Sequence, residues 1–208
     1  MLSALSVEEF TQKLASKDAV PGGGGTAALA GALGAALGGM VASLTIGKPK
    51  YADVEDDICR LNAEIQQIQE DLLGLIERDA EVFAPLADAY GMASASEQEK
   101  AEKERVMQEC LKQASLVPLE IMEKCSETLP LLEGLAEKGS KLAVSDAGCA
   151  AALSKAAMQA AWLNVCINIR LIKDEDFASG VGERGRALLN NGLSSADRIY
   201  DMVEESLR

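Results

Sequence analysis

The 21 uncharged residues from 26 to 46 restrict the possible folds more than any other feature. This stretch is long enough to span a bilayer as a helix. However, it is built mainly from alanine and glycine, and no other segment of similar length is free of charge. We expect the central helix of a soluble protein, in which Ala27, Gly31, Gly34 and Gly38 let neighbouring helices approach closely, including helices across a dimer interface.

The overall composition favours helix throughout. Only 3% of the 208 residues are aromatic, and β-branched residues are sparse beside alanine, leucine, glutamate and lysine. The apolar fraction of 48% is enough for one domain with a substantial core, and no Pro- or Ser-rich linker or internal repeat divides the chain. We expect a single all-α domain over residues 1–208, without a sheet.

Charge and the missing residue types exclude several classes of function. With 33 acidic and 20 basic side chains, the net charge is −13, so neither nucleic acid nor an anionic membrane is an expected partner. The absence of histidine removes the commonest general base and the usual zinc sites, and we expect no metal. Five cysteines without a Cys-x-x-Cys pair, in a chain with no evident secretory signal, predict a cytoplasmic protein.

Capping boxes that begin at Ser6 and Ser96, each with a glutamate three residues later, and apolar periodicity predict an up-and-down bundle of about six to eight helices. Glycines 22–25 are expected to interrupt a helix, and Pro118 is expected to bend or interrupt another. Ser145 is expected to cap a helix that is apolar on nearly all sides and buried in the centre of the fold. The first predicted helix is short and includes Phe10 and Leu14, and Thr26 is expected to cap the second. A long helix is predicted over about 53–89, and another from Ser96 to about Pro118. The remaining helices are predicted over about 131–138, 145–172 and 185–207.

Asp79 is the most informative single residue. The apolar positions of the long predicted helix recur in steps of three and four, and Asp79 falls on that stripe where an apolar side chain is expected. A carboxylate there loses hydration, so its pKa should rise and it could exchange protons near neutral pH. The alternatives are a structural ion pair with a neighbouring helix, or a helix that rotates Asp79 outward.

The four glycines before the uncharged helix form a second candidate. Gly22, Gly23, Gly24 and Gly25 leave backbone N–H groups free at a positive helix end, which suits an anion or a polar ring held close to the main chain. An ordinary tight turn at Pro21 would have the same sequence. Neither standard nucleotide-binding motif fits, because no predicted strand precedes the glycines.

A small basic loop at the other end of the same helix contains Lys48, Lys50 and Tyr51. Lysines often follow a helix C-terminus simply because they complement its dipole. The functional alternative is that the loop binds a carboxylate of the substrate.

Further polar candidates lie on the buried helix. Asn164 and Asn168 are four residues apart, so they share a face and could either fix helix register or hydrogen-bond a flat heterocycle. Ser145 and Asp146, at the predicted start of that helix, are capping residues first and ligand-binding candidates second.

Six motifs, in this order over nearly the whole chain, together resemble the cyclodeaminase/cyclohydrolase family. That family comprises the C-terminal domain of formiminotransferase-cyclodeaminase and stand-alone bacterial methenyltetrahydrofolate cyclohydrolases. The motifs are the glycines after Pro21, Leu44-Thr-Ile-Gly-Lys-Pro-Lys-Tyr51, Asp79-Ala-Glu-Val-Phe83, Val117-Pro-Leu119, Ser145-Asp-Ala-Gly148 and Asn164-Val-Cys-Ile-Asn168.

The resemblance implies an all-helical homodimer acting on a tetrahydrofolate derivative, polyglutamylated or not, without any further cofactor. It also implies that Asp79 is the catalytic carboxylate, and that the glycines, Lys48, Lys50, Tyr51, Ser145 and Asp146 lie around the folate. Relatives often have a second acid just before this aspartate. Here Glu77 and Arg78 occupy those positions, so a two-acid mechanism is left open.

The expected activity is methenyltetrahydrofolate cyclohydrolase, because the chain carries no formiminotransferase domain. Three alternatives remain at this stage. The first is formiminotetrahydrofolate cyclodeaminase, which closes the same ring with loss of ammonia. The second is a helical module that serves only oligomer packing. The third is a membrane-associated hairpin.

Overall fold

The computed structural model describes residues 1–208 and contains helices but no strands. The six α-helices are α1 (Val7–Leu14), α2 (Gly23–Ser43), α3 (Glu55–Tyr90), α4 (Glu97–Lys138), α5 (Val144–Ile169) and α6 (Glu175–Ser206). Short 3₁₀ turns cover Leu2–Ala4, Pro49–Val54 and Lys141–Ala143. The prediction of an all-α bundle with a long helix near residues 53–89 is confirmed.

Helix α2 packs against α3, α4 and α5. Helices α2 and α3 are antiparallel. Three α2 glycines at intervals of seven residues face three α3 residues at intervals of seven, and the α3 residue numbers fall as the glycine numbers rise. The facing pairs are Gly24 with Asp79, Gly31 with Leu72, and Gly38 with Ile65. A side chain at these glycines would collide, since a Cβ on Gly38 would lie 2.7 Å from Leu132 Cδ2. The small residues of α2 therefore permit close helix packing, as predicted.

By length and hydropathy, α2 is the one helix of the chain that could cross a membrane. In the fold, 56% of the most apolar segment of this helix is buried. Its exposed apolar residues form a stripe that includes Leu33 and Met40, which are 50% and 48% exposed. Helix α5 likewise exposes Leu163 and Ile167, at 68% and 49%. Helix α5 packs against α2, α4 and α6, which agrees with its predicted place in the centre of the fold, but this one face has no neighbouring helix.

The glycines do not precede α2 but begin it. Gly22 is the N-cap and Gly23 the first helical residue, while Thr26 donates its hydroxyl to the Gly22 carbonyl instead of capping the helix. Each glycine costs a helix about 1 kcal/mol relative to alanine. Tertiary contacts offset this cost at Gly23 and Gly24, where a side chain would collide with Asn164 of α5 or Asp79 of α3.

Helix α4 is also longer than predicted. It continues through Pro118 and Pro130, so the two helices predicted on either side of Pro118 are one. Each proline removes one hydrogen bond of the helix ladder. The buried face of α4 continues across both prolines and packs against α3, α5 and α6, which maintains the helix.

Two predicted helix starts were wrong as well. Helix α5 follows a 3₁₀ turn and begins at Val144 without a side-chain cap, so Ser145 lies inside its first turn. Helix α6 begins ten residues before the predicted position, where Asp174 accepts a hydrogen bond from the Phe177 N–H and caps it. The predicted capping boxes that begin at Ser6 and Ser96 are both present.

Candidate functional site

A cleft lies where the start of α2 meets the middle of α3 and the C-terminal half of α5. Its empty volume, including the open mouth, is about 570 Å³, which is within the range of small-molecule sites. The lining residues are Ala19, Val20, Gly22, Gly23, Gly24, Asp79, Val82, Phe83, Ala114, Asn164, Ile167 and Asn168.

Asp79 is the only ionisable residue in the lining of this cleft. Its Oδ2 accepts a hydrogen bond from the Gly25 N–H at 2.8 Å. Burial raises the pKa of Asp79 above its usual value, and the Gly25 N–H offsets the rise only partly. No ion pair contributes to this shift. Asp79 therefore faces the cleft in the position that the apolar stripe predicted, and neither a structural ion pair nor an outward rotation describes it.

The start of α2 presses directly against this carboxylate. A Cβ on Gly24 would lie 2.1 Å from Asp79 Oδ1, and one on Gly23 would lie 2.9 Å from Asn164 Nδ2. Both positions therefore require glycine. Of the N–H groups expected to be free at this helix end, that of Gly25 is bound by the protein's own carboxylate. Gly22, which has open space around its Cα, lines the cleft.

The two asparagines present oxygen atoms to the cleft. Asn164 Nδ2 donates to the Ala160 carbonyl of its own helix at 2.9 Å, and Asn168 Nδ2 donates to the Ala114 carbonyl of α4 at 2.8 Å. Their side-chain oxygens accept no hydrogen bond from the protein and remain open to solvent. With Asp79, the polar side chains of the cleft thus offer acceptors, while one of the two N–H donors of each asparagine is already bound.

Glu77 lies outside the cleft. Its Oε1 accepts hydrogen bonds from the backbone N–H and the hydroxyl of Ser3, at 2.7 and 2.8 Å. Burial alone would raise the pKa of Glu77, but hydrogen bonds from Ser3 and Leu2 and the N-terminal charge hold it below its usual value. Glu77 is therefore an ionised anchor for the N-terminal turn, and the cleft has a single acid.

The remaining candidate residues lie at the opposite end of α2. Helix α2 has 21 residues, which corresponds to a length of about 30 Å. Lys48, Lys50 and Tyr51 follow its C-terminus, and Ser145 and Asp146 occupy the first turn of the antiparallel helix α5. The structure thus divides the predicted site residues into the Asp79 cleft and a separate group, which we call the lysine end.

Tyr51 organises the lysine end. Its hydroxyl accepts a hydrogen bond from the Lys141 backbone N–H at 3.1 Å. This hydrogen bond, together with the charges of Lys50 and Lys48, holds the pKa of Tyr51 below its usual value. The Lys50 ammonium lies 5.5 Å from the centroid of the Tyr51 ring. The arrangement presents positive charge to solvent.

Several apolar residues of the cleft were not among the predicted site residues. Val82 and Phe83 follow Asp79 by three and four residues on the same face of α3, so the helical period could have identified them. Ala19, Val20 and Ile167 carry no comparable signal. Ala114 enters the cleft only because α4 crosses α5 beside Asn168.

The fold and the cleft define a class of protein: an all-helical bundle in which one partly buried carboxylate meets a glycine helix start, in a cleft lined by amide oxygens. The sequence model of the formiminotransferase-cyclodeaminase family matches residues 6–186. The chain belongs to this family, which confirms the resemblance drawn from the six motifs.

Relatives of known name cover nearly the whole chain. A Methylorubrum extorquens protein named methenyltetrahydrofolate cyclohydrolase is 39% identical over 202 residues, or 97% of each chain. The formimidoyltransferase-cyclodeaminase of Rattus norvegicus is 30% identical over 96% of this chain but only 37% of its own length. A crystal structure of formiminotetrahydrofolate cyclodeaminase from Thermotoga maritima matches all of both chains, with a TM-score of 0.88 and 31% identity.

Proposed function

We propose that this chain is a tetrahydrofolate one-carbon enzyme that hydrolyses 5,10-methenyltetrahydrofolate to 10-formyltetrahydrofolate. The observation that carries the proposal is the single, partly buried carboxylate of Asp79, which has a raised pKa and no cationic neighbour. The 39% identity to a protein named methenyltetrahydrofolate cyclohydrolase supports the same substrate class.

The electrostatics of the cleft suit this substrate. Methenyltetrahydrofolate is an amidinium cation, and its pterin ring carries several N–H groups. The cleft offers the anionic Asp79 and the free oxygens of Asn164 and Asn168, which are acceptors that match both features. A carboxylate held away from water stabilises a nearby cation more strongly than a hydrated one.

In the proposed mechanism, Asp79 acts as general base and then as general acid. Water attacks the bridging carbon, and Asp79 accepts one of its protons, which gives a neutral tetrahedral carbinolamine. Asp79 then returns that proton to the departing ring nitrogen as its bond to carbon breaks. The hydroxyl becomes the formyl C=O and loses its proton to solvent, so one proton is released overall. The raised pKa of Asp79 suits both transfers near neutral pH.

The second candidate activity is formiminotetrahydrofolate cyclodeaminase. Its ring closure passes through a comparable tetrahedral adduct, from which ammonia leaves. The structural likeness to a formiminotetrahydrofolate cyclodeaminase, with a TM-score of 0.88, favours it specifically. Neither activity needs a metal or a further cofactor in this proposal.

Two assays on the purified protein distinguish the activities. Loss of methenyltetrahydrofolate absorbance measures hydrolysis, and ammonia release from formiminotetrahydrofolate measures deamination. Asp79→Asn should lower turnover in the active assay by about 10²- to 10⁴-fold. Asp71→Asn, which removes an exposed α3 carboxylate that pairs with Lys124, should leave turnover near wild type. Full turnover in a folded Asp79→Asn variant would disprove the mechanism.

We also propose that the protein is a homodimer formed through the exposed apolar stripe of α2 and α5. A folate with a single glutamate is too short to reach from Asp79 to the lysine end of the same chain along α2. In an isologous dimer with the two α2 helices antiparallel, each Asp79 cleft would lie beside the lysine end of the second copy. Lys48 and Lys50 could then bind the glutamate carboxylates, with Tyr51, Ser145 and Asp146 around them.

Leu33→Glu places a charge in the middle of the stripe and should give a folded monomer with a raised KM. Leu207→Glu, at an exposed position at the end of α6, should remain dimeric. Sedimentation measures both states. Mixing inactive Asp79→Asn subunits with Lys48→Gln/Lys50→Gln subunits, whose KM should be raised, should restore a fraction of sites with the wild-type KM, because one site of each mixed dimer would be intact. A fully active Leu33→Glu monomer would exclude the shared site.

A further inference from the structure

Pro118 creates an unusual feature in the wall of the cleft. It lies inside α4 and is buried, and because proline has no backbone N–H, the carbonyl of Ala114 loses its partner in the helix ladder. Ala114 is itself only 5% exposed, and a buried carbonyl needs a donor. The donor comes from another helix: Asn168 Nδ2 of α5, at 2.8 Å.

This contact determines which way the Asn168 amide points. A carbonyl oxygen can only accept a hydrogen bond, so the NH₂ group of Asn168 must face Ala114. The amide oxygen is therefore directed away from α4, and it has no donor from the protein. Ala114 and Asn168 both line the cleft that contains Asp79, so the free oxygen is available to a bound ligand.

We propose that Pro118 is a positioning residue for ligand binding: by withholding an N–H from Ala114, it holds the Asn168 amide with its oxygen toward the cleft, as the acceptor for a ring N–H of the ligand. The identity of that ring as a pterin depends on the function proposed above. The hydrogen-bond relay itself depends only on Pro118, Ala114 and Asn168.

The same helix supplies a matched control. Pro130 also lies within α4, but it is exposed, so water can serve the carbonyl that it leaves without an N–H. Pro118→Ala returns an N–H to the Ala114 carbonyl, which then competes with Asn168, whereas Pro130→Ala makes the same chemical change away from the cleft. Both variants replace a proline inside a helix by the best helix former, so both should fold.

The first measurement follows the side-chain amide of Asn168 by NMR in ¹⁵N-labelled protein. In Pro118→Ala its hydrogen exchange should accelerate, while the Asn164 amide, bonded within α5, serves as an internal reference and should not change. Pro130→Ala should change neither amide. Unchanged Asn168 exchange in folded Pro118→Ala would overturn the relay, whatever reaction the protein catalyses.

The second measurement is kinetic. Losing one oriented hydrogen bond to the ligand should raise KM by about tenfold in Pro118→Ala. The acid limb of the pH profile should stay in place, because Asp79 is untouched.

Asn168→Ala should raise KM similarly, and combining it with Pro118→Ala should add nothing further, since the proline acts through the asparagine. The role in ligand binding would be ruled out if the KM effects of Pro118→Ala and Asn168→Ala were additive. It would also be ruled out if Pro118→Ala altered the Asn168 exchange but left KM unchanged. If the wild-type protein were inactive in both assays, the proposed function would fail, but the NMR result would still test the relay.

Discussion

The two ends of α2 differ in almost every physical respect. The Asp79 cleft is partly enclosed, contains one anionic group and no cation, and requires glycine where the main chain meets the carboxylate. The lysine end is largely exposed and carries two lysines on a loop beside Tyr51. Enclosure is what raises a pKa and strengthens local electrostatics, whereas exposed lysines can attract an anion but are screened by water and salt. Chemistry is therefore expected at the first end and substrate affinity at the second.

The largest expected effect comes from Gly24→Ala. Its Cβ would lie 2.1 Å from Asp79 Oδ1, so the carboxylate must move out of its position. Turnover should fall about as far as for Asp79→Asn, by about 10²- to 10⁴-fold. Gly74→Ala, at an open position on the same helix as Asp79, should keep full turnover and fold at least as well as wild type. If Gly24→Ala were as active as Gly74→Ala, the contact between glycine and carboxylate would have no catalytic role.

At the lysine end, Lys48→Gln/Lys50→Gln should raise KM by about tenfold while kcat changes little, because these charges bind the substrate far from the reacting carbon. The effect should shrink as salt is added, since screening weakens the wild-type attraction. Lys100→Gln, at an exposed lysine on α4 that pairs with Glu97, is the control for a general loss of positive charge. A large fall in kcat with unchanged KM would contradict the division between the two ends.

The pH dependence should report Asp79 alone. The ionised form is the base, so activity should fall on the acid side with a midpoint above 3.8, the usual value for aspartate. The raised pKa also means that the folded protein binds more protons than the unfolded chain between 3.8 and the folded value. Stability contributed by protonated Asp79 is therefore lost as pH rises through that window.

Asp79→Asn mimics the protonated form, so it should unfold at a higher temperature than wild type at neutral pH. Thermal unfolding from acid to neutral pH measures the difference, which should vanish below 3.8, where Asp79 is protonated in both states. If the wild type were the more stable of the two at neutral pH, the folded protein would favour the ionised carboxylate, contrary to the effect of burial.

The smallest expected effect tests whether the cleft has only one acid. Glu77→Gln weakens the bonds to Ser3 and should cost about 1 kcal/mol of stability. Turnover should stay close to that of wild type. Because the folded pKa of Glu77 is lowered, its contribution is present above 4.5 and is lost as pH falls, so the two proteins should converge in acid. A large loss of turnover would restore a two-acid mechanism.

The sequence predicted the elements better than their ends. Local patterns identified the capping boxes at Ser6 and Ser96 and the stripe that contains Asp79, because these depend on residues three or four apart. They failed at the glycine start of α2 and at Pro118, where local propensity opposes a helix. There, packing against α3 and α5 outweighs a local cost of a few kcal/mol.

Sequence also identified the principal polar residues of the cleft but not their grouping. Asp79, Asn164 and Asn168 meet there, while Lys48, Lys50, Tyr51, Ser145 and Asp146 lie at the other end of the molecule. The motifs that contain them follow one another along the chain, but order along a chain does not reveal which helix ends coincide in space.

The sequence by itself determined the all-helical class, the family and the presence of an acid on a buried stripe, because composition and helical period are local properties. Only the tertiary structure decided that Asp79 meets the Gly25 N–H, that Glu77 anchors Ser3 instead, and that Asn168 turns its oxygen toward the cleft. These outcomes depend on how antiparallel helices come into register, which is set by contacts between residues that are about 50 to 75 positions apart in the chain.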